Sequence, residues 1–461
     1  MGSFCMAVRI TLILIAIQNV WALGSLDGRW VDAWTAMPQL TEPANLPPPP
    51  FNGSSSVFFN STIRQTLYMT IGGDEIRVRF SNTFGVNDLH ITAATVALPA
   101  GGVSGASEII TTSLKTLTFS GSPSFVVPNG ALVVSDPIAF SIESQQTITV
   151  TLYLAQGQDG FSITSHPGSR TTTWISFGDY VQAGNMTDSS TTSLAHWYFV
   201  SAVETFSASA SAFVVIGDSI TDGQGSDPDK NNRWPDLLCA RMQKNPATAH
   251  ISISNQAAGG NRILTDGKGP NALSRVDRDV LAHTGVKYAM IYEGVNDINK
   301  LEPATAEAQT ALGDRLIAAF KQVVARLHAA GIPVFAATIT PFSAPANVSS
   351  GSCTAEPNSC PTREATRQRL NAFIRTSGLF DAVIDFDRVV ADSAVASQMS
   401  PLFNSGDFYT PTWPGTPRWR KRFRWTYLSG FREASVGIHS TEDGVDSCHL
   451  YYYLSKIHCG K

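Results

Sequence analysis

Charge is scarce in this sequence: 15% of its 461 residues are charged, and the formal net charge is −4. That balance gives no basis for nucleic acid or an anionic membrane as partner. Beyond the N-terminus no run approaches the roughly 20 apolar residues of a membrane-spanning helix, so no stable membrane insertion is expected. The nine histidines and six cysteines show no His-x-x-x-His or Cys-x-x-Cys spacing, and no metal centre is expected. Asp381, Asp385 and Asp387 do cluster, but Val383, Ile384 and Phe386 among them suggest a strand edge with solvated or capping carboxylates. No glycine-rich phosphate or dinucleotide loop follows a strand, so no cofactor is expected. What is present, 43% hydrophobic residues, is globular rather than disordered. The length exceeds one ordinary core and points to two domains.

The first 22 residues read as a secretory signal. Arg9 precedes an apolar run over residues 10–17, and Val20-Trp21-Ala22 supplies small residues at the cleavage spacing. A membrane anchor is the alternative, but Gln18 and Asn19 end the run too soon. Four Asn-x-Ser/Thr sequons, at Asn52, Asn60, Asn185 and Asn347, agree with a secreted, extracellular protein. Cys5 leaves with the signal. Cys353 and Cys360 bracket a Gly/Ser/Pro-rich loop and can close a small disulfide. Cys239, after Leu237-Leu238 on a helix, reads as a buried free thiol.

Residues 28–205 read as an all-β sandwich or jelly-roll-like domain. Apolar and charged residues alternate in Glu75-Ile76-Arg77-Val78-Arg79-Phe80, and residues 147–154 repeat the period-two pattern. Turn clusters separate such runs, and residues 46–56, with four consecutive prolines, read as a loop or linker-like arm. After the small-residue joint at 207–211 the pattern changes. Short apolar strands at 212–216, 288–292 and 333–339 alternate with helices. Leu312, Leu316, Ile317, Phe320, Val323, Val324 and Leu327 share one face of a helix that Gly331 stops. Such alternation implies a parallel sheet, in which reacting groups collect at the carboxyl ends of strands.

Three segments stand at such ends. Gly217-Asp218-Ser219 follows a strand and begins a helix, where a serine can present its hydroxyl and its own N–H to a substrate. The bland alternative is an N-cap. Gly259-Gly260-Asn261 lets backbone amides approach a ligand closely, or is an ordinary loop. Glu293-Gly294-Val295-Asn296-Asp297 offers an amide side chain at the sheet edge, or an Asx turn.

Together, in order and spacing, these segments resemble the GDS, GGN and GxND blocks of the SGNH/GDSL hydrolase superfamily. The resemblance runs from Val214 to Asp297. Trp234-Pro235, Asp277-Arg278-Asp279 and the preceding β domain are similar to secreted microbial acylhydrolases of the arylesterase or carbohydrate-esterase kind. The resemblance implies a flavodoxin-like three-layer α/β/α domain over residues 210–407. It implies catalysis by Ser219 as nucleophile with Asp407 orienting a histidine base. It also implies an oxyanion hole from the Ser219 and Gly260 N–H groups with the Asn296 side chain.

The family's final block, Asp-x-x-His-Pro, is broken here: three residues beyond Asp407 stands Thr410, and no histidine lies between His328 and His439. Residues 408–461 also change character, with eight Lys/Arg against four Asp/Glu. Regrouping each codon's third base with the next codon's first two, from Phe408 on, permits Leu-His-Pro-Asn-Leu-Ala-Gly-Tyr. A shifted reading frame therefore explains both the missing histidine and the basic tail. Alternatively His449, with Asp446 three residues before it, is a relocated base. The Arg/Trp-rich run can also be read as binding polyanions or a membrane surface. The expected function is secreted ester hydrolysis through an acyl-serine, on a small ester or acetylated polysaccharide. A catalytically silent carbohydrate-binding protein is the alternative.

Overall fold

The computed structural model describes residues 28–345, Cys353 and residues 359–412. The signal segment, Asn347, His449 and the tail beyond Thr412 lie outside the described residues.

Five strands form a wholly parallel sheet: β1 (Ser211–Gly217), β2 (Ile251–Ala257), β3 (Val286–Tyr292), β4 (Val334–Ala337) and β5 (Ala382–Ile384), in the order β2-β1-β3-β4-β5. All seven residues of β1 are buried. That suits its unbroken apolar stretch Ala212-Phe213-Val214-Val215-Ile216, since a parallel strand is covered on both faces. Each large side chain there contributes about 1.5–3 kcal/mol by leaving water. The helices are α1 (Ser219–Asp222), α2 (Trp234–Met242), α3 (Val295–Lys300), α4 (Ala306–Ala329) and α5 (Pro361–Thr376). In α4 the expected stripe is buried from Leu312 to Leu327, apart from Ile317, which is partly buried against the core. Thr305 caps the helix through Ala308 N–H.

Residues 28–207 contain strands and two short 3-10 turns, with ladders pairing antiparallel. The main sheets have five and six strands. In the strand Gly73–Ser81 the alternation holds: Ile76, Val78 and Phe80 are buried while Arg77 and Arg79 are partly open. In Thr147–Leu154 it does not, because only Tyr153 is less than buried. This strand is central in the six-stranded sheet, and its polar face is covered too. Arg64, fully buried, donates to Thr151 Oγ1 at 3.2 Å and to the carbonyls of Ser107, Tyr180 and Ala183. The prolyl segment is a loop, but a packed one: Phe51 is buried against Phe177, and just before the segment Asn45 O accepts from the Tyr198 hydroxyl at 2.9 Å.

The β region lies directly on the parallel sheet. Val31 fills the space over Gly285, Asp32 accepts from His283 Nδ1 at 2.6 Å and from Thr284 Oγ1 at 3.1 Å, and Arg29 donates to Ala210 O. The aspartate cluster differs from expectation as well. Asp385 caps the next turn, but Asp387 is buried and paired with Arg367 and Arg375. A carboxylate taken out of water needs such partners. Cys239 is buried and forms no disulfide among the described residues, its Sγ donating to Thr70 O at 3.3 Å, and burial pushes its thiol up to about 12.

Candidate active site

Register decides where the three motifs emerge. Gly217 of β1 lies level with Ala257 of β2 and with Tyr292 of β3. The residues that follow, 218–219, 258–260 and 293–296, therefore leave the sheet side by side at its carboxyl edge.

At the first of these ends a Cβ on Gly217 would overlap Thr221, so the turn requires glycine. Asp218 Oδ1 accepts from Ile220 N–H at 2.9 Å and caps α1, which places Ser219 at the first helical position. Ser219 is 8% exposed, and among the described residues no side chain hydrogen-bonds its Oγ. At the second end Gly260 takes φ +73° and Gly259 N–H donates to Asp222 Oδ2 at 2.8 Å. At the third, Gly294 takes φ +116° and starts α3, setting Asn296 and Asp297 inward. Asn296 Nδ2 donates to Asn261 O at 3.0 Å, which joins the second and third ends. Beneath them the buried Arg275 donates to Asn261 Oδ1, to Gln256 O and to Asp279.

Carboxyls crowd this floor. Burial, with the charges of Asp297 and Asp222, raises Asp218 to about 7. Burial raises Asp297 to about 6, against the N–H groups of Ile263 and Leu264 that favour its charged form. Glu293 is pushed well above the usual range by burial and by Asp218. Burial and mutual repulsion thus make these acids harder to ionise than exposed carboxyls.

The third expected catalytic group is placed differently. Asp407 accepts from Ser405 Oγ, from the N–H groups of Tyr409 and Thr410, and from Thr410 Oγ1 at 2.7 Å. Burial works to raise its pKa, but these donors outweigh it and hold the group below the usual carboxylate range. Among the described residues no histidine bonds to it; His166 meets Asp222, His283 meets Asp32 and His328 meets Asp381. Thr410 is buried and its methyl lies near Gly225, just past the nucleophile turn. Tyr409 turns inward, its hydroxyl donating to Asn296 Oδ1 at 3.1 Å.

Residues 215–423 match the model of the GDSL-like Lipase/Acylhydrolase family. The α/β domain is an SGNH/GDSL ester hydrolase domain. The match spans the parallel sheet, all three motifs and Asp407, and continues into the stretch that reads as a tail. Among solved structures, one similar protein is a candidate lipolytic protein of the G-D-S-L family from Desulfitobacterium hafniense, 20% identical, covering 44% of this chain and 91% of its own, with TM-score 0.31. A candidate arylesterase from Agrobacterium tumefaciens is 21% identical over 44% of this chain and 90% of its own, with TM-score 0.31. An acetyl xylan esterase is 16% identical over 39% and 78%, with TM-score 0.28. No curated protein matches the chain.

The remaining expected sites fall as follows. Cys353 and Cys360 are joined by a disulfide. Asn185 is exposed, Asn52 is half-buried, and Asn60 is half-buried with its Oδ1 accepting from Tyr153. Among the described residues no group of three His, Cys, Asp or Glu is placed to hold a metal, and no helix is long and apolar enough to cross a membrane. Sequence reasoning missed Asp222, Arg275 and His166. Asp222 sits three residues after the nucleophile and was open to suspicion; His166 lies in the other region of the chain, and nothing local marks it.

Proposed function

We propose that the chain is a secreted acylhydrolase whose Ser219 Oγ attacks the carbonyl of a small ester, such as acetyl on a polysaccharide or aryl alcohol. The carbonyl oxygen gains negative charge and is met by the Ser219 and Gly260 N–H groups and Asn296 Nδ2. Each such donor lowers the barrier by about 3 kcal/mol. The serine proton must pass to a base and then to the leaving alcohol, and water later releases the acyl group. The level ends of β1, β2 and β3 are the single observation that carries this reading. The 2-1-3-4-5 parallel order supports reading the domain as a flavodoxin-like three-layer fold, with the β region as a sandwich that walls one side.

Thr410 stands where the base belongs, so the chain as written turns over slowly. A shifted frame after Asp407 accounts for this, and sequencing the transcript from codon 395 to the stop tests it. Asp-Leu-His-Pro there supports the shift, and Asp-Phe-Tyr-Thr-Pro ends it. Hydrolysis of an aryl acetate by the full chain and by Ser219→Ala tests the reaction itself, since equal rates would sink the nucleophile. A silent carbohydrate-binding role is favoured by one feature, an open cavity of about 360 Å³ on the β region lined by Asn87, Asp88, His90, Asn129, Gln156 and Asp159. Glycan affinity that survives Ser219→Ala without any hydrolysis is the result expected of that role.

A further inference from the structure

We propose that His166 of the β region is a positioning residue for the oxyanion loop, acting through Asp222 on the Gly259 amide; this rests on the assignment of Ser219 and Gly260 above. His166 Nε2 lies 2.9 Å from Asp222 Oδ1, and the other carboxylate oxygen, Oδ2, accepts from Gly259 N–H at 2.8 Å. One carboxylate therefore bridges a side chain of the β region and the loop that carries Gly260. The bridge is shielded from water, the two side chains being 5% and 4% exposed.

The surroundings hold Asp222 tightly in that pose. It ends α1, three residues after Ser219. A Cβ on Gly168 would fall 1.9 Å from Asp222 Oδ2, so the backbone of the β region closes on the carboxylate itself. The His166 ring stacks on Trp197 at 5.8 Å, and its Nδ1 meets Met37 O at 3.0 Å. Both ring nitrogens thus face acceptors, a carbonyl and a carboxylate. With Nδ1 engaged by Met37 O and Nε2 by Asp222, the ring is held within the bridge and is not aimed at Ser219.

Gly259 and Gly260 have no side chains to anchor them, and their backbone is the most permissive of any. Oxyanion donors must be placed to within about half an ångström. The Asp222 bond to Gly259 holds the Ser219 side of that loop together with the Ala258 N–H bond to Gly217 O, as the Asn296 bond to Asn261 holds the other. Without His166 the carboxylate would lose its hydrogen-bond partner at Oδ1 and remain near Asp218, whose pKa its charge already raises. A rotated Asp222 releases Gly259. The β region thereby completes the reaction centre from outside the α/β domain.

The test uses the full chain with His166→Phe, which keeps a flat ring but has no donor, and His166→Gln, whose amide can donate to Asp222. Hydrogen–deuterium exchange of residues 257–262 is the first readout and needs no catalysis. His166→Phe is expected to speed exchange there at least tenfold, and His166→Gln to stay within about threefold of the parent. Aryl acetate turnover is the second: kcat is expected to fall about tenfold in His166→Phe with KM within twofold. A folded His166→Phe whose exchange at 257–262 matches the parent overturns the proposal, even if its melting temperature falls. If His166→Phe does not fold, Asp222→Ala removes the acceptor itself; unchanged exchange there overturns the proposal and a tenfold rise supports it. Failure of the esterase reading shows separately, as equal hydrolysis by the parent and Ser219→Ala, and leaves the exchange result to decide the tether.

Discussion

Asp297 and Asp407 each accept two backbone N–H bonds, yet the two carboxylates belong to differently built regions. Asp297 takes Ile263 N–H at 2.8 Å and Leu264 N–H at 3.0 Å, from residues 34 and 33 positions away in the segment that follows β2. Asp407 takes Tyr409 N–H at 2.9 Å and Thr410 N–H at 2.7 Å, from its own turn. The nucleophile side is answered across the fold: Gly259 by Asp222, Asn296 by Asn261, Asn261 by Arg275. The 405–410 turn is answered by itself, as an aspartate turn is in many loops. A carboxylate bound from afar reports that the site is assembled. One bound by its neighbours reports only the local sequence, and its oxygens are spent before any histidine arrives.

That contrast can be broken most forcefully with Thr410→His. The change removes the hydroxyl from Asp407 Oδ2 and restores the Asp-x-x-His spacing. A positioned base is worth about 10²–10⁴-fold, so kcat for an aryl acetate should rise by at least ~100-fold. Ser219→Ala in the same background should abolish the gain; no rise at all would mean that the turn cannot aim a base at Ser219.

On the stability side the two carboxylates should separate cleanly. Asp297→Ala leaves two N–H groups without their acceptor, one of the bonds being fully buried, and should cost about 2–4 kcal/mol in urea unfolding. Asp407→Ala removes only a local cap and should cost about 1 kcal/mol. Equal losses would erase the distinction drawn between the two regions.

A gentler test uses pH. Asp218 titrates at about 7 in the folded chain against 3.8 ordinarily, so between those values the native state holds a proton the unfolded chain has shed. Its contribution is full below the unfolded value and is lost as pH rises through about 7. Melting temperature should therefore decline from pH 4 towards pH 7. Asp218→Asn, whose amide oxygen can still cap Ile220, should flatten that decline, and an unchanged slope would place the proton elsewhere. Asp407 acts with the opposite sign: its folded pKa is depressed, so its small contribution is present above the ordinary value and fades as pH falls.

Much of the α/β region was legible because its signals are local. The apolar stretches at 212–216 and 288–292 became β1 and β3, and the stripe from Leu312 to Leu327 became the buried face of α4. Periodicity failed where both faces of an element are covered. Thr147–Leu154 alternates in sequence, but Arg64 and the loops it binds cover its threonines. The prolines at 47–50 look like a linker, but Phe51 pins the segment to Phe177. Asp387 looks solvated until Arg367 and Arg375 are seen to reach it from α5.

The sequence by itself determined the order of the three motifs, the glycines their turns require and the absence of a histidine three residues after Asp407. Those depend on residue type and spacing along the chain. Only the tertiary structure decided that Gly217, Ala257 and Tyr292 lie level, that Asp222 bridges His166 and Gly259, and that Tyr409 reaches Asn296. Register and burial arise from contacts between residues tens to more than a hundred positions apart, and no local pattern carries that information.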